Sequence, residues 1–229
     1  MVFGQAQSLF RVIRENYTLA ERRFAAVMVF LYASGFAAHV IPALRPLTVH
    51  TADLFLLGMN SAMMWLIYQT NRDWRLWIWA VGAYLFTFSV EATGVATGAI
   101  FGEYTYGAGL KWQWLGVPFV IALNWILLIL AVNDFMMRLF RSPIAVVIAV
   151  GICIAIYDWF IEPVAIALDY WTWAAGPEVP FQNYAAWAVV AIIATIPLLA
   201  WKIRFRHPLL PWYLGVQWVY FVAMQLFLK

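Results

Sequence analysis

Apolar stretches of about 20 residues recur along the whole of this chain, and that is the length a helix needs to cross a bilayer. They run over about 24 to 41, 49 to 69, 75 to 99, 116 to 137, 143 to 168, 183 to 203 and 209 to 228, each bounded by charges, Pro or Gly. Of the 229 residues, 66% are apolar and 11% charged, against roughly 25% charged in a soluble domain. A water-soluble fold has nowhere to hide that much apolar surface. The expected fold is all-α, a polytopic membrane bundle of about seven transmembrane helices forming a single domain over 24–229. Ahead of it, residues 1–23 set Phe3, Leu9, Phe10, Ile13 and Tyr17 among Arg11, Arg14 and Glu15. That pattern suits a short helix lying in the cytoplasmic headgroup region, in contact with membrane lipid.

The net charge of +3 does not point to nucleic acid, because the basic residues sit in short loops between apolar runs. Short cytoplasmic loops hold an excess of Lys and Arg. One side of the predicted bundle holds Arg11, Arg14, Arg22, Arg23, Arg72, Arg75, Arg138, Arg141, Lys202, Arg204 and Arg206. The other holds Arg45, Lys111 and Lys229. Eleven against three places the N-terminus in the cytoplasm and the C-terminus outside. The first apolar run is followed by six more, so it reads as a spanning helix and not as a cleaved signal. Cys153 is the sole cysteine, which leaves no disulfide framework and no Cys-based metal site. Many of the 14 Trp fall near predicted helix ends, where an interfacial belt accounts for them.

A charge in the hydrocarbon region costs about 3 kcal/mol or more, so embedded polar groups face a bundle interior or a cavity. With this orientation His39, His50, Asp53, Glu91, Asn124, Asp158, Glu162 and Asn183 all fall toward the outer side. Asp134 lies near the inner end of the fourth helix and is expected to pair with Arg138 at i+4. Asp158 and Glu162 are also four apart, so their carboxyls leave one helical face about a turn from each other. Two carboxyls in a dry site cannot both ionise cheaply, so one of them is expected to keep its proton beside an acceptor. The alternative is structural: Glu162 bonding a loop, and Asp158 serving helix packing.

Two outer loops stand out. Phe101-Gly102-Glu103-Tyr104-Thr105-Tyr106-Gly107 sets polar and aromatic groups between glycines, which suits a shaped lid. Tyr104 and Tyr106 either orient a water or belong to the aromatic belt. The stretch from Asp169 to Gln182 has no Lys or Arg but holds Trp171, Trp173, Gly176, Pro177 and Pro180. It fits a rigid cover over an apolar ligand or an ordinary interfacial turn. Gly94 and Gly98 have the small-xxx-small spacing of close helix packing. Three histidines on two sides do not make a multi-His iron site, and His39 and His50 read as hydrogen-bonded helix caps. The seventh run has no central lysine for a retinal Schiff base. The chain carries no Gly-rich phosphate loop, dinucleotide fingerprint or DDxxD run.

Two blocks carry a family resemblance. The first runs Glu91-Ala-Thr-Gly94-Val-Ala-Thr97-Gly98-Ala-Ile-Phe101-Gly102-Glu-Tyr104-Thr-Tyr106, then Leu115-Gly116-Val117-Pro118 and Asn124-Trp125. The second is Asp158-Trp-Phe-Ile-Glu162-Pro163, Tyr170-Trp171-Thr-Trp173, Val179-Pro180 and Asn183-Tyr-Ala-Ala-Trp187. Both resemble the integral-membrane carotenoid biosynthesis proteins, which include carotenoid 1,2-hydratases and bisanhydrobacterioruberin hydratase. The resemblance covers about residues 85 to 190. The family often carries Asp where this chain has Glu162, whose longer side chain places the carboxyl differently.

The resemblance implies a cofactor-independent hydro-lyase of a bacterial or archaeal cytoplasmic membrane. It would add water across the terminal C1–C2 double bond of an acyclic carotenoid such as lycopene, with no metal, to give a tertiary alcohol. Such chemistry needs a protonated carboxyl, a group that holds and deprotonates water, and aromatic faces for the cation. Asp158, Glu91 and Glu162 are the expected catalytic residues, with Asp158 favoured as proton donor and Glu91 positioning water. Tyr104, Tyr106, Asn124, Trp125, Trp171, Trp173, Asn183 and Trp187 are the expected substrate-binding residues. Carotenoid, water and membrane lipid are the expected partners, with association with other carotenoid enzymes open. A carotenoid cyclase would begin with the same protonation, and a non-catalytic transporter would also use embedded acids, though carriers often show internal repeats and none is apparent here.

Overall fold

A computed structural model of the chain describes residues 17–107, 109–203 and 205–227, and the side chains of residues 49 and 50 are outside that description. Most of the expected interfacial segment over 1–23 therefore lies outside the described residues, as do Arg204, Lys229 and the His50 side chain. The described chain is mostly helical. Its long helices are α1 (Leu19–Val40), α2 (Arg45–Thr70), α3 (Trp74–Thr97), α4 (Phe119–Leu139), α5 (Pro143–Ala167), α6 (Phe181–Ala200) and α7 (Leu209–Phe227). All but α2 and α7 are long and apolar enough to cross a membrane, so the chain is a multi-pass membrane protein. The remaining pair, with 26 and 19 residues, carry more polar side chains, among them Asp53 and Asn60 in α2 and Gln217 and Gln225 in α7.

Local chemistry sets the boundaries. Helix α1 begins at Leu19, before the apolar run, because Thr18 and Glu21 form a capping box. The Thr18 N–H donates to Glu21 Oε2 at 2.7 Å, and the Glu21 N–H donates to Thr18 Oγ1 at 3.2 Å. Asp73 and Ser142 cap α3 and α5 more simply, each side chain accepting from one backbone N–H, of Arg75 and of Ala145, and Pro143 occupies the first turn of α5. Helix α4 starts at Phe119 and not at 116, because Val117 and Pro118 are taken into a short strand.

Helix α4 is the axis of the bundle. Its residues from Trp125 to Asp134 are buried without a break, as for a helix enclosed on all sides. Around it the others follow the order α2, α1, α7, α5, α6 and α3, each packing on the next. The tightest crossing is α5 on α6. A Cβ added at Gly151 would lie 2.7 Å from Ile192 Cγ1 and 2.9 Å from the Ala188 carbonyl oxygen. Gly151→Leu should therefore lower stability by roughly 1–3 kcal/mol through overpacking. Thermal unfolding of the purified protein in detergent measures this, and an unchanged midpoint would contradict the close crossing.

Short strands join the helices at one end of the bundle. There β1 (Tyr104–Tyr106), from the α3–α4 connection, pairs antiparallel with β4 (Trp171–Trp173), from the α5–α6 connection. A hairpin of β2 (Gln113–Trp114) and β3 (Val117–Pro118) lies in the same α3–α4 connection. Strands of two or three residues leave no periodic apolar signal. Gly94 and Gly98 also act differently from the expected helix–helix packing. Gly98 ends α3 with φ 65°, the left-handed conformation that glycine favours. The chain then folds back until the Phe101 ring would lie 2.5 Å from a Cβ at Gly94. The spacing serves a chain reversal that leads into β1.

At the opposite end Arg138 Nη2 reaches Asp134 Oδ2 at 2.6 Å, as the i+4 spacing predicts.

Candidate active site

The β1–β4 ribbon explains why the two outer loops carry so many aromatic residues. Alternate residues of a strand point to one face, and the register places Tyr104 opposite Trp173 and Tyr106 opposite Trp171. The four rings share the face that looks into the bundle, while Thr105 and Thr172 meet on the exposed face. Each strand delivers its aromatic hydrogen-bond donors to a separate carboxyl.

Glu91, buried in α3, is the first of these. Tyr104 Oη donates to Glu91 Oε2 at 2.6 Å and Tyr106 Oη to the same oxygen at 3.0 Å. Trp125 Nε1, from α4, donates to Glu91 Oε1 at 3.0 Å. Burial first, and the Glu91 carboxyl second, push both tyrosines well above the ordinary phenol range. Both hydroxyls therefore stay protonated and donate.

Glu162, buried in α5, repeats the arrangement. Trp171 Nε1 and Trp173 Nε1 donate to its Oε2 at 2.9 and 3.0 Å. Asn183 Nδ2, at the start of α6, donates to its Oε1 at 3.0 Å. The same Asn183 nitrogen also donates to Asp158 Oδ2 at 2.6 Å. One amide thus bridges two carboxyls a turn apart, and Asp158 Oδ1 is buried with no partner among the described residues. A carboxyl oxygen accepts through two lone pairs. In Glu91 and in Glu162 one oxygen is filled by two aromatic donors and the other by one, leaving on each a single lone pair with no partner among the described residues.

Both glutamates line one cavity of about 380 Å³, within the range of small-molecule sites, to which all seven helices contribute. Its walls are mainly apolar, with Leu31, Phe55, Leu56, Ile121, Ile161 and Phe221 among them. Of the residues expected from sequence, Glu91, Glu162, Tyr104, Tyr106, Asn124, Trp171, Trp173, Asn183 and Trp187 line it. Two do not. Asp158 lies behind Glu162 and reaches it through Asn183. Trp125 lies behind Trp187, with ring centroids 4.1 Å apart and planes 27° from parallel. Among the described residues, no three His, Cys, Asp or Glu side chains are grouped so as to hold a metal ion.

The cavity also holds residues that sequence reasoning missed. Tyr157, Gln217 and Tyr220 line it, and Gln217 and Tyr220 leave α7 three residues apart on one face. A glutamine isolated in an apolar run was the available signal. His39, read from sequence as a cap, does contact the Gly35 carbonyl oxygen through Nδ1 at 2.7 Å. Its ring also meets Tyr220 Oη at 3.0 Å and Tyr170 Oη at 3.3 Å, so it joins α1 to α7 and to the segment leading into β4. Asp53 accepts from the backbone N–H groups of Lys111 and Trp112, and so fastens the α3–α4 connection to α2.

Comparison with known proteins shows the family. A bisanhydrobacterioruberin hydratase from Haloarcula japonica is 29% identical over 134 residues, which is 54% of this chain and 45% of the relative. The aligned region is thus less than half the length of that curated relative. No solved structure matches the chain. The family model described as carotenoid biosynthesis protein matches residues 51–228, a span that takes in both glutamates, the ribbon and every helix from α3 to α6. The chain belongs to the carotenoid biosynthesis protein family.

Proposed function

We propose that this protein hydrates the terminal C1–C2 double bond of an acyclic carotenoid end by acid catalysis, giving a tertiary alcohol. The observation that carries the reading is the pair of buried glutamates, each held by three donors and each with one lone pair left, facing a single apolar cavity. The hydratase activity of the Haloarcula japonica relative supports the same reaction class.

The neighbouring carboxyls bridged by Asn183 hold one proton between them, since charging both in a dry site is costly. Glu162 is the member that faces the cavity, so it replaces Asp158 as donor, and Asp158 becomes a positioning residue. Glu162 gives the proton to the less substituted alkene carbon. The π electron pair forms the new C–H bond, and positive charge develops on the tertiary carbon, where the Trp187 face stabilises it. A water lone pair forms the C–O bond, and Glu91 takes the proton that the water releases. Transfer of that proton back to the Asp158–Glu162 pair resets the site. The net change is the addition of one water, which needs no cofactor. The remaining substrate-facing groups, Tyr104, Tyr106, Asn124, Trp171, Trp173 and Asn183, shape and orient the site.

The membrane arrangement belongs to the same proposal. The eleven-to-three division of basic residues supports seven spans in the cytoplasmic membrane, an interfacial segment over 1–23, a cytoplasmic N-terminus and an external C-terminus. The ribbon and both glutamates then lie in the outer half. Other carotenoid enzymes are natural neighbours, since substrate and product both reside in the bilayer.

Expression in a lycopene-producing host tests the function. The expected result is a pigment heavier by one water, with label from heavy-oxygen water in the new hydroxyl. A cyclic product of unchanged mass would assign the protein as a cyclase, and unaltered pigment with every acyclic carotenoid would end the enzyme reading. Asn183→Leu removes the donor that both carboxyls share. It should cost about 1–3 kcal/mol of stability, seen in thermal unfolding, and slow turnover at least about tenfold. Normal stability and turnover would show that the bridge has no role.

A further inference from the structure

Opposite in chemistry to the glutamates, a second set of polar groups lines the same cavity. Gln217, 4% exposed in the middle of α7, accepts from Tyr157 Oη through its amide oxygen. Its Nε2 is buried with no partner among the described residues. Tyr213 Oη, fully buried, stands 2.6 Å from Asn124 Oδ1 and 3.2 Å from Asn60 Oδ1. A hydroxyl carries one proton and donates it once. The shorter contact takes it, and turning the Asn60 amide lets Asn60 donate to the tyrosine oxygen. Asn124, its carbonyl oxygen so engaged, keeps its N–H₂ free of any partner among the described residues. Both Asn124 and Gln217 line the cavity, so two side-chain amides border it from α4 and α7.

We infer that Gln217 and Asn124 form a second binding subsite that takes a hydroxyl oxygen, as an acceptor, within the cavity that Glu91 and Glu162 share. Leaving a buried amide N–H without an acceptor costs about as much as a lost hydrogen bond. A hydrocarbon wall cannot supply that acceptor. The glutamates do not either, because their hydrogen bonds among the described residues come from Tyr104, Tyr106, Trp125, Trp171, Trp173 and Asn183, and none from Gln217 or Asn124. The cavity therefore has a carboxyl pole, where a proton is given and taken, and an amide pole that only donates. A hydroxyl oxygen at the amide pole comes from one of two sources: an oxygen that the polyene substrate already bears near its reacting end, or a water held for addition. The inference rests on the proposed hydratase reading for the identity of the polyene.

Binding separates the sources. Trp171, Trp173 and Trp187 line the cavity, so quenching of tryptophan fluorescence reports a bound polyene. The purified protein in lipid nanodiscs would be titrated with an acyclic polyene hydrocarbon and with the same polyene carrying a terminal tertiary hydroxyl. If the oxygen is the substrate's, wild type prefers the hydroxylated polyene by about tenfold, the worth of one good hydrogen bond. Gln217→Met brings that ratio close to one. Gln217→Glu keeps the side-chain volume and the acceptor for Tyr157 but replaces the donor, and it brings the ratio below one. If the oxygen is water, wild type has no preference, and Gln217→Met lowers kcat on the hydrocarbon about tenfold with little change in KM. A wild type that converts pigment in cells, with neither a preference nor a Gln217 effect on kcat, overturns the subsite alone. A wild type that neither converts pigment nor binds either polyene overturns the hydratase reading and the subsite together.

Discussion

Glu162→Gln should lower hydration by roughly 10²–10⁴-fold, the usual contribution of a positioned general acid, while the protein still accumulates in the membrane. The substitution keeps the shape and removes the proton. It also reverses part of the hydrogen-bond pattern. Trp171 Nε1 and Trp173 Nε1 both point at one oxygen of Glu162, and Asn183 Nδ2 points at the other. A glutamine must turn its carbonyl toward the two indoles, which sets its own N–H₂ against that of Asn183. A modest fall in stability, about 1–3 kcal/mol, is expected beside the kinetic loss. Glu162→Asp separates the two effects: it restores a proton but withdraws the carboxyl, so part of the activity should return. Asp158→Asn should slow the reaction less, because Asp158 does not line the cavity and acts through Asn183. Pigment analysis of the three variants in a lycopene-producing host decides the order. Full conversion by Glu162→Gln, with Asp158→Asn inactive, would return the donor role to Asp158.

The order of those variants is where sequence and structure part. The i+4 spacing of Asp158 and Glu162 put both carboxyls on one helical face and so marked the pair. It could not say which of the two meets the cavity. That depends on Asn183, which enters from α6 between them, and on a ribbon whose two strands lie more than sixty residues apart in the chain. Trp171 and Trp173 had an adequate explanation in the aromatic belt, since nothing local marks an indole N–H that will meet a carboxylate. The helices were legible because a bilayer demands long apolar runs, and their starts moved most at Thr18, where a cap extends α1, at Pro46, in the first turn of an α2 that begins ahead of its apolar run, and at Pro118, where a short strand delays α4. Gly94 and Gly98 misled because a spacing used for helix contact in membranes also suits a chain turning back on its own helix. Gln217 went unnoticed because one polar residue in a span says little until its partner Tyr157 is seen, with Asn124 lining the same cavity. The sequence pattern thus located the acids, and tertiary pairing distinguishes which of them meet the cavity.

Glu91→Gln tests the other half of the site and should change the product as well as the rate. Glu91 lines the same cavity as Glu162, the proposed proton donor, and among the described residues it is the carboxyl that the β1 tyrosines hold. The variant keeps Glu162 and Asp158, so protonation of the alkene can still occur. Without a base to take a proton from water, capture of the cation by oxygen should slow by about 10²-fold or more. The cation then has two other exits that conserve mass. It can lose a proton from a neighbouring carbon and return an isomerised alkene, or a nearby double bond can attack it and close a ring before proton loss. The expected result is therefore a fall in hydroxylated pigment together with isomerised or cyclic pigment of the original mass. Chromatography with mass analysis distinguishes the three products. Trp125 adds a control, because its Nε1 bonds Glu91 while its ring lies behind Trp187 and outside the cavity. Trp125→Phe removes that one donor but keeps an aromatic ring behind Trp187, so it should reduce hydration without the same turn toward hydrocarbon products. If Glu91→Gln instead leaves unreacted substrate and no other pigment, protonation itself depends on Glu91, and the two glutamates exchange the roles proposed for them.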